Sequence, residues 1–267
     1  MPAVRFRRHA LALLLSAFAP LAFAQAQKDA APAAAPAFEP SSGQAGKDVV
    51  WVPTPQVLVD KMLDLAKVTK RDFVMDLGSG DGRTVITAAK RGAKAQGVEY
   101  NPDMVALSQR NAEKEGVADK AKFVKADLFQ TDFSKASVIT MFLLPDINVK
   151  LRPKILELKP GTRVVSNSFD MGDWKSEQTV TLTAKEGCDA SWCTAHFWIV
   201  PAKAAGRYDL PQGKLELKQM FQMLSGTLET GGQSQKVEGR VRGNDVSFTA
   251  GGKTYRGRMK GRQLVLS

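Results

Sequence analysis

The stretch that most constrains this chain is residues 73–83, which read FVMDLGSGDGR. An apolar run closes on an acid, three glycines alternate with small or polar residues, and a helical pattern follows. This order predicts a buried strand, a tight turn whose backbone approaches a ligand, and a helix whose N-terminal amides face that ligand. A dinucleotide fingerprint needs glycine at its sixth position, where this chain has Arg83, so the turn disfavours an NAD-dependent oxidoreductase.

The N-terminal segment has the pattern of an export signal. Three arginines precede an apolar run over 10–21, and Ala-Phe-Ala at 22–24 offers small residues for cleavage. We therefore predict a secretory signal peptide over 1–24 and a periplasmic or secreted protein, with membrane anchoring as the alternative if the signal is not cleaved. Residues 25–46 are rich in Ala and Pro and predict a disordered linker.

The chain has two cysteines, Cys188 and Cys193, between strand-like runs at 179–184 and 195–200. In an exported protein they predict a disulfide that closes this hairpin, and two free buried thiols are the alternative. Because the chain has only two histidines, we expect no metal site.

Strand patterns alternate with helical patterns from residue 47 to 203. This alternation predicts an α/β domain with a doubly wound, mostly parallel seven-stranded sheet that ends in the hairpin. Ligands of such sheets bind at the carboxyl ends of the strands.

From 206 to 267 the pattern changes to short alternating strands, and Gly239–Gly243 is echoed 18 residues later by Gly257–Gly261. We predict a small antiparallel β domain here, six strands curled into a partial barrel. The formal charge is +11, and this segment contributes +6 through eleven Lys and Arg against five Asp and Glu. Its partner can be an anionic surface or molecule, and a solvated basic surface is the alternative.

The glycine turn resembles motif I of the class I S-adenosylmethionine-dependent methyltransferases. This methyl donor has an ammonium, a ribose diol and an adenine amino group, and each needs an acceptor. Carboxylates stand at the corresponding strand ends, and each alone is equally typical of a solvated loop. The ordered set predicts binding of S-adenosyl-L-methionine. The predicted cofactor-binding residues are Asp76, Gly78, Ser79, Gly80, Asp81, Gly82, Glu99 and Asp127.

Three segments narrow the resemblance: VPTP at 52–55, DLGSGDGR at 76–83 and LKPGTRVVS at 158–166. Together they resemble the seven-β-strand protein-lysine methyltransferases that modify the ATP synthase c-subunit and the adenine nucleotide translocase. The resemblance covers about residues 50–200 and implies N-methylation of a protein lysine. The segment after the fourth strand, FLLPD at 142–146, departs from the Asn-Pro-Pro-Tyr signature of enzymes that methylate amino groups of nucleic acids or glutamine.

Methyl transfer requires in-line alignment and a deprotonated amine. Asp146 is the predicted catalytic base, with the N-cap of a helix as its alternative role, and Thr54 is predicted both to cap the first helix and to line the site. Two other functions stay open. They are a noncatalytic exported protein that binds S-adenosylmethionine or a nucleoside, and a small-molecule methyltransferase.

Overall fold

A computed structural model describes residues 1–3 and 38–267. The predicted signal peptide and most of the predicted linker lie outside the described residues. The last part of that linker, 38–46, belongs to the same compact unit as the rest of 38–267. Among the described helices, none has the length and apolarity needed to cross a bilayer.

The first sheet follows the predicted α/β alternation, with strand order β3-β2-β1-β4-β5-β7-β6. Strands β1 to β5 are parallel, and β7 is antiparallel to both β5 and β6. This confirms the doubly wound, mostly parallel seven-stranded sheet that ends in a hairpin. The strands are β1 Phe73–Leu77, β2 Lys94–Glu99, β3 Ala121–Lys125, β4 Val138–Met141, β5 Arg163–Asn167, β6 Gln178–Thr181 and β7 Thr194–Ile199, and the helices are α1 Gln56–Leu65, α2 Arg83–Lys90, α3 Pro102–Lys114 and α4 Pro145–Leu156.

The two faces of this sheet bury separate cores because successive side chains of a strand point to opposite faces. Val74 of β1 joins the cluster that contains buried residues of α1 and α2, whereas Met75 and Leu77 join the cluster that contains buried residues of α4. Helices thus cover both faces, and only the strand ends are left to form a ligand site.

Two helix starts differ from the prediction. Helix α1 has Pro55 at its N-cap position without a side-chain cap, so Thr54 does not cap it. Helix α4 has Leu144 at its N-cap position and Asp146 inside its first turn, so Asp146 is not an N-cap. In both cases a proline next to the helix start fixes the backbone where the side-chain pattern pointed to a capping residue.

The C-terminal segment forms a second sheet, an antiparallel meander in the order β14 to β8. It has seven strands, so the prediction of six was one too few. The repeat at Gly239–Gly243 and Gly257–Gly261 supplies the ends of two strands and the turns that follow them. The strands are β8 Gly206–Leu210, β9 Gly213–Met220, β10 Met223–Thr230, β11 Gln233–Arg242, β12 Asp245–Ala250, β13 Lys253–Lys260 and β14 Gln263–Leu266.

This second sheet is fastened to the first near β6. Arg240 Nη2 lies 2.7 Å from Glu177 Oε2, and Gln222 Nε2 donates to the Lys175 carbonyl at 2.8 Å. The Phe221 and Trp174 rings stack with centroids 6.3 Å apart. Part of the basic charge of the C-terminal segment is therefore used within the protein.

Candidate methyl-donor and acceptor cavity

A cavity of about 570 Å³ opens at the carboxyl ends of β1 to β5, within the size range of small-molecule sites. It brings together all the predicted cofactor-binding residues except Gly82, and also Thr54. Asp146 is exposed and is not among the lining residues, so the structure does not bring it to the other predicted site residues.

Asp76 lies at the centre of the lining, on β1. It is only 6% exposed, and its Oδ1 accepts a hydrogen bond from Thr140 Oγ1 of β4 at 2.6 Å. Burial raises the pKa of Asp76 to about 7; the Thr140 hydrogen bond opposes this increase, and the Asp81 and Glu99 carboxylates add to it. Within residues 38–267, no Lys, Arg or His forms an ion pair with Asp76. A ligand ammonium would supply the missing positive charge.

The second acid of the turn, Asp81, already has a partner. Its carboxylate pairs with the Arg83 guanidinium, with Oδ2 and Nη2 2.6 Å apart, and Arg83 Nη1 donates to the Thr54 carbonyl at 2.8 Å. Asp81 thus ties the turn to the start of α1. Of the two acids predicted for the cofactor ammonium, Asp76 is the one left free to receive it.

The glycine turn has a different geometry from the predicted one. The amides of Gly78 and Ser79 donate to the Val98 carbonyl at 2.9 and 3.1 Å, and the Gly80 amide donates to Glu99 Oε2 at 3.0 Å. These N–H groups brace β1 against β2 and do not face a ligand. Gly78 and Gly80 have φ of +78° and +54°, and with no side chain they let a ligand approach the backbone closely.

The Ser79 side chain turns away from the cavity. Its hydroxyl is buried without a hydrogen-bond partner among the described residues, and it packs against the Cα of Gly97 in β2. Ser79 therefore contributes through its backbone.

Glu99 ends β2 with each carboxylate oxygen engaged once. Oε2 accepts from the Gly80 amide and Oε1 from the Asn101 amide at 2.9 Å. Each oxygen keeps a lone pair, so the carboxylate can also accept from the two hydroxyls of a ribose.

Asp127 follows β3 and pairs with Lys47, whose Nζ lies 2.7 Å from Oδ2. Asp127 Oδ1 also accepts from the Phe129 amide at 2.8 Å. The Lys47 hydrogen bond and then the Phe129 amide lower the pKa of Asp127 below its ordinary value. This carboxylate is ionised at neutral pH and retains acceptor capacity for an adenine amino group.

A segment that the sequence patterns did not identify covers the cavity. Residues 44–54, which we call the N-terminal cover, all contribute to the lining. The Trp51 amide donates to the Gln44 carbonyl at 2.9 Å, and the Trp51 indole packs on Gly80, where an added Cβ would stand 2.5 Å from Nε1. Low hydrophobicity made 25–46 resemble a linker; Trp51, just outside the predicted first helix, was the available signal.

Thr54 lies at the end of the N-terminal cover and reaches β5. It is 8% exposed, and its Oγ1 accepts from Asn167 Nδ2 at 3.2 Å. Phe142, Phe169 and Trp192 line the cavity beside the ends of β4 and β5. Only Phe142 lies in a segment that the sequence resemblance pointed to.

The cysteines do form the predicted disulfide, Cys188–Cys193, and no free cysteine remains. The described part of the chain contains no cluster of three or more His, Cys, Asp and Glu arranged to hold a metal ion.

Comparison with known proteins identifies the family. Residues 76–178 match the model of the ANTKMT methyltransferase domain. A protein-lysine N-methyltransferase of Saccharolobus islandicus is 48% identical over 137 residues, which span 50% of this chain and 85% of the relative. The chain belongs to this family of S-adenosylmethionine-dependent methyltransferases.

Other relatives differ more in length. The methyltransferase is 39% identical over 124 residues to the lysine N-methyltransferase of the rat ATP synthase c-subunit, and spans 56% of that relative and 46% of its own length. A crystal structure of an RNA methyltransferase from Salinibacter ruber in complex with S-adenosyl-L-homocysteine has 47% identity and a TM-score of 0.53. That match covers 57% of this chain and 95% of the other. Both matches span about half of this chain.

The cavity fits the cofactor of this family. The molecule is cationic at its sulfonium and ammonium, and the lining offers the unpaired buried carboxylate of Asp76. The Glu99 and Asp127 carboxylates stand at the ends of the next two strands, β2 and β3. The residues that would hold the cofactor are therefore Asp76, Glu99 and Asp127, with the glycine turn below.

Proposed function

We propose that this protein transfers a methyl group from S-adenosylmethionine to the ε-amino group of a lysine in a protein. The observation that carries the proposal is the distribution of charge in the cavity. The two basic lining residues, Lys47 and Arg83, pair with Asp127 and Asp81 at the cofactor end. The other end, at β4 and β5, is lined by aromatic and apolar side chains, which suit an alkylamine better than a phosphodiester.

The strand order supports this division of the cavity. Adenine, ribose and ammonium acceptors stand on β3, β2 and β1 in that order, and β4 and β5 follow on the other side of β1. The acceptor therefore enters beside the ends of β4 and β5. When bound, the cofactor supplies a methyl group activated by its sulfonium.

The chain's own residues align the amine and exclude water. Thr54 Oγ1 accepts one hydrogen bond from Asn167 and retains a lone pair that can receive a hydrogen bond from the incoming amine. A hydroxyl is too weak a base to take the lysine proton, so Thr54 orients the amine after it has lost its proton to solvent. The N-terminal cover, through Trp51, closes the cofactor side against water.

RNA is the second candidate acceptor. The Salinibacter ruber relative is named an RNA methyltransferase, and the C-terminal sheet carries an excess of six positive charges. A phosphate backbone would engage such a surface. An anionic partner of this sheet remains a proposal.

Labelled transfer separates the two acceptors. The protein is incubated with methyl-tritiated S-adenosylmethionine and cell extract, and the extract is then divided into protein, RNA and small-molecule fractions. We expect label in the protein fraction, and none with Asp76→Ala, which removes the ammonium partner. Label in the RNA fraction alone would replace the lysine proposal with the RNA one, and label in the small-molecule fraction would point to a metabolite acceptor.

We also propose that the protein is exported. The signal pattern over 1–24 and the disulfide support this, because disulfides persist in oxidising compartments. Cell fractionation with N-terminal sequencing tests it: we expect an envelope or secreted protein beginning near Gln25, and a cytoplasmic protein that retains its N-terminus would refute export.

A further inference from the structure

The disulfide loop reaches the acceptor end of the cavity through a single side chain. We propose that Trp192, held by the Cys188–Cys193 disulfide, forms with Phe142 and Phe169 the wall that receives the acceptor's lysine side chain. This inference rests on the proposed lysine acceptor. It assigns to the loop between β6 and β7 the selection of the side chain to be methylated.

The loop that carries Trp192 is fixed at both ends. The Leu182 amide donates to the Cys193 carbonyl at 2.9 Å, and the Cys188 amide donates to the Thr183 carbonyl at 3.0 Å. Both cysteines belong to the core on one face of the first sheet and are 3% and 5% exposed. Trp192 directly precedes Cys193, so the disulfide and this core restrict where its indole can lie.

The three rings touch one another. The centroid of Trp192 lies 5.8 Å from that of Phe142 and 5.6 Å from that of Phe169, and the two phenylalanines are 6.1 Å apart. These are contact distances for aromatic pairs. The rings therefore form one continuous wall and not an enclosed cage with a cation between them.

The backbone that carries Phe169 is held in an unusual conformation. Ser168, between Asn167 and Phe169, has a φ of +60°, which is uncommon for a residue with a side chain. Asn148 of α4, fully buried, donates through Nδ2 to the carbonyls of Phe169 and Asp170, each at 3.1 Å. Backbone strain of this kind persists where surrounding contacts enforce it, and it concentrates at functional sites.

The wall suits the chemistry of lysine. Its four methylene groups can pack on the ring faces, and an ammonium or methylated ammonium near a ring face is attracted by the π-electrons. Trp gives the strongest attraction of this kind. From the usual strength of such contacts, loss of the indole should weaken binding of a lysine side chain roughly three- to thirtyfold.

Fluorine NMR on the full chain tests the wall without requiring turnover. The chain has four tryptophans, so 5-fluorotryptophan labelling gives few signals, and the Trp192 signal is the one that Trp192→Phe removes. S-adenosyl-L-homocysteine fills the cofactor end. The probe is Nα-acetyl-lysine amide, and the matched control is Nα-acetyl-norleucine amide, which has the same aliphatic stem without the amino group.

We expect the lysine probe to shift the Trp192 signal, and the norleucine control to shift it much less. The buried Trp174 and Trp198 signals should stay in place and report an intact fold. A Trp192 signal that the lysine probe leaves unmoved, or that both probes move equally, overturns the proposal. Phe169→Ala should weaken the response roughly three- to thirtyfold, and an unchanged response would remove Phe169 from the wall.

The role of the disulfide has its own variant, Cys188→Ser combined with Cys193→Ser. We expect the Trp192 response to the lysine probe to be lost while the Trp174 and Trp198 signals persist. A full response in this variant would show that the disulfide does not position Trp192. Calorimetry with S-adenosyl-L-homocysteine, run on the same samples, distinguishes failure of this inference from failure of the methyltransferase function, because only the latter predicts absent cofactor binding.

Discussion

Replacing Asp76 with Asn removes one buried negative charge and nearly preserves the shape of the side chain. Asp76 is 6% exposed, and burial raises its pKa from 3.8 to about 7. Between these values the folded protein holds a proton that the unfolded chain has released. Asp76 therefore contributes stability that is fully present below about pH 4 and is lost as the pH rises through about 7.

The size of this effect follows from the pKa. A change from 3.8 to about 7 corresponds to roughly 4 kcal/mol of unfolding free energy between pH 4 and pH 8. Other acids have pKa values below their ordinary range, including Asp72 and Asp127, and they give the opposite slope. They are present in both proteins, so the difference between wild type and Asp76→Asn isolates the contribution of Asp76.

Urea unfolding of both proteins without cofactor, from pH 4 to pH 8, measures that difference. We expect Asp76→Asn to gain on the wild type as the pH rises, by roughly 4 kcal/mol over the range. Parallel curves for the two proteins would refute the electrostatic reasoning. Calorimetry supplies the second half: S-adenosylmethionine should bind wild type more tightly as the pH rises toward 7, because its ammonium pairs with the ionised carboxylate, whereas Asp76→Asn should bind weakly throughout.

Three further changes test other parts of the site. Glu99→Ala should weaken S-adenosylmethionine binding about tenfold or more in calorimetry, because two charge-assisted hydrogen bonds to the ribose are lost; Glu115→Ala, at an exposed surface pair, is the matched control and should bind normally. Lys47→Ala should raise the cofactor dissociation constant severalfold and leave the melting temperature nearly unchanged, since the pair it forms with the acid after β3 is partly exposed; a large drop in melting temperature would contradict this. The Cys188→Ser, Cys193→Ser variant should lose about 2 kcal/mol of unfolding free energy in urea, the entropy expected for so short a loop, and an unchanged value would show that the bridge adds no stability.

The fold was largely predictable because its signals are local. The apolar run and glycine turn at 73–83 predicted β1, the turn and α2, and the bounds of β1 were correct to the residue. Periodicity and turn residues predicted the remaining strands of the first sheet within a few residues. The cysteine pair was predicted from two residues and the export signal alone.

The parts that sequence reasoning missed depend on contacts distant along the chain. Lys47 reaches Asp127 across 80 positions, and nothing in the composition around Lys47 indicates that contact. Trp192 meets Phe142 and Phe169 only because β4, β5 and the hairpin end at the same edge of the sheet. Asp146 was favoured because its segment follows β4, yet helical geometry directs it to solvent one turn away from the lining.

The central claim is that the methyl group is transferred to lysine. Protein labelled with methyl-tritiated S-adenosylmethionine can be hydrolysed to amino acids and separated against standards of methylated lysine, arginine and histidine. The account predicts radioactivity that co-migrates with Nε-methylated lysine and is absent from the Asp76→Ala reaction. Radioactivity in any other amino acid, with none in lysine, would contradict it.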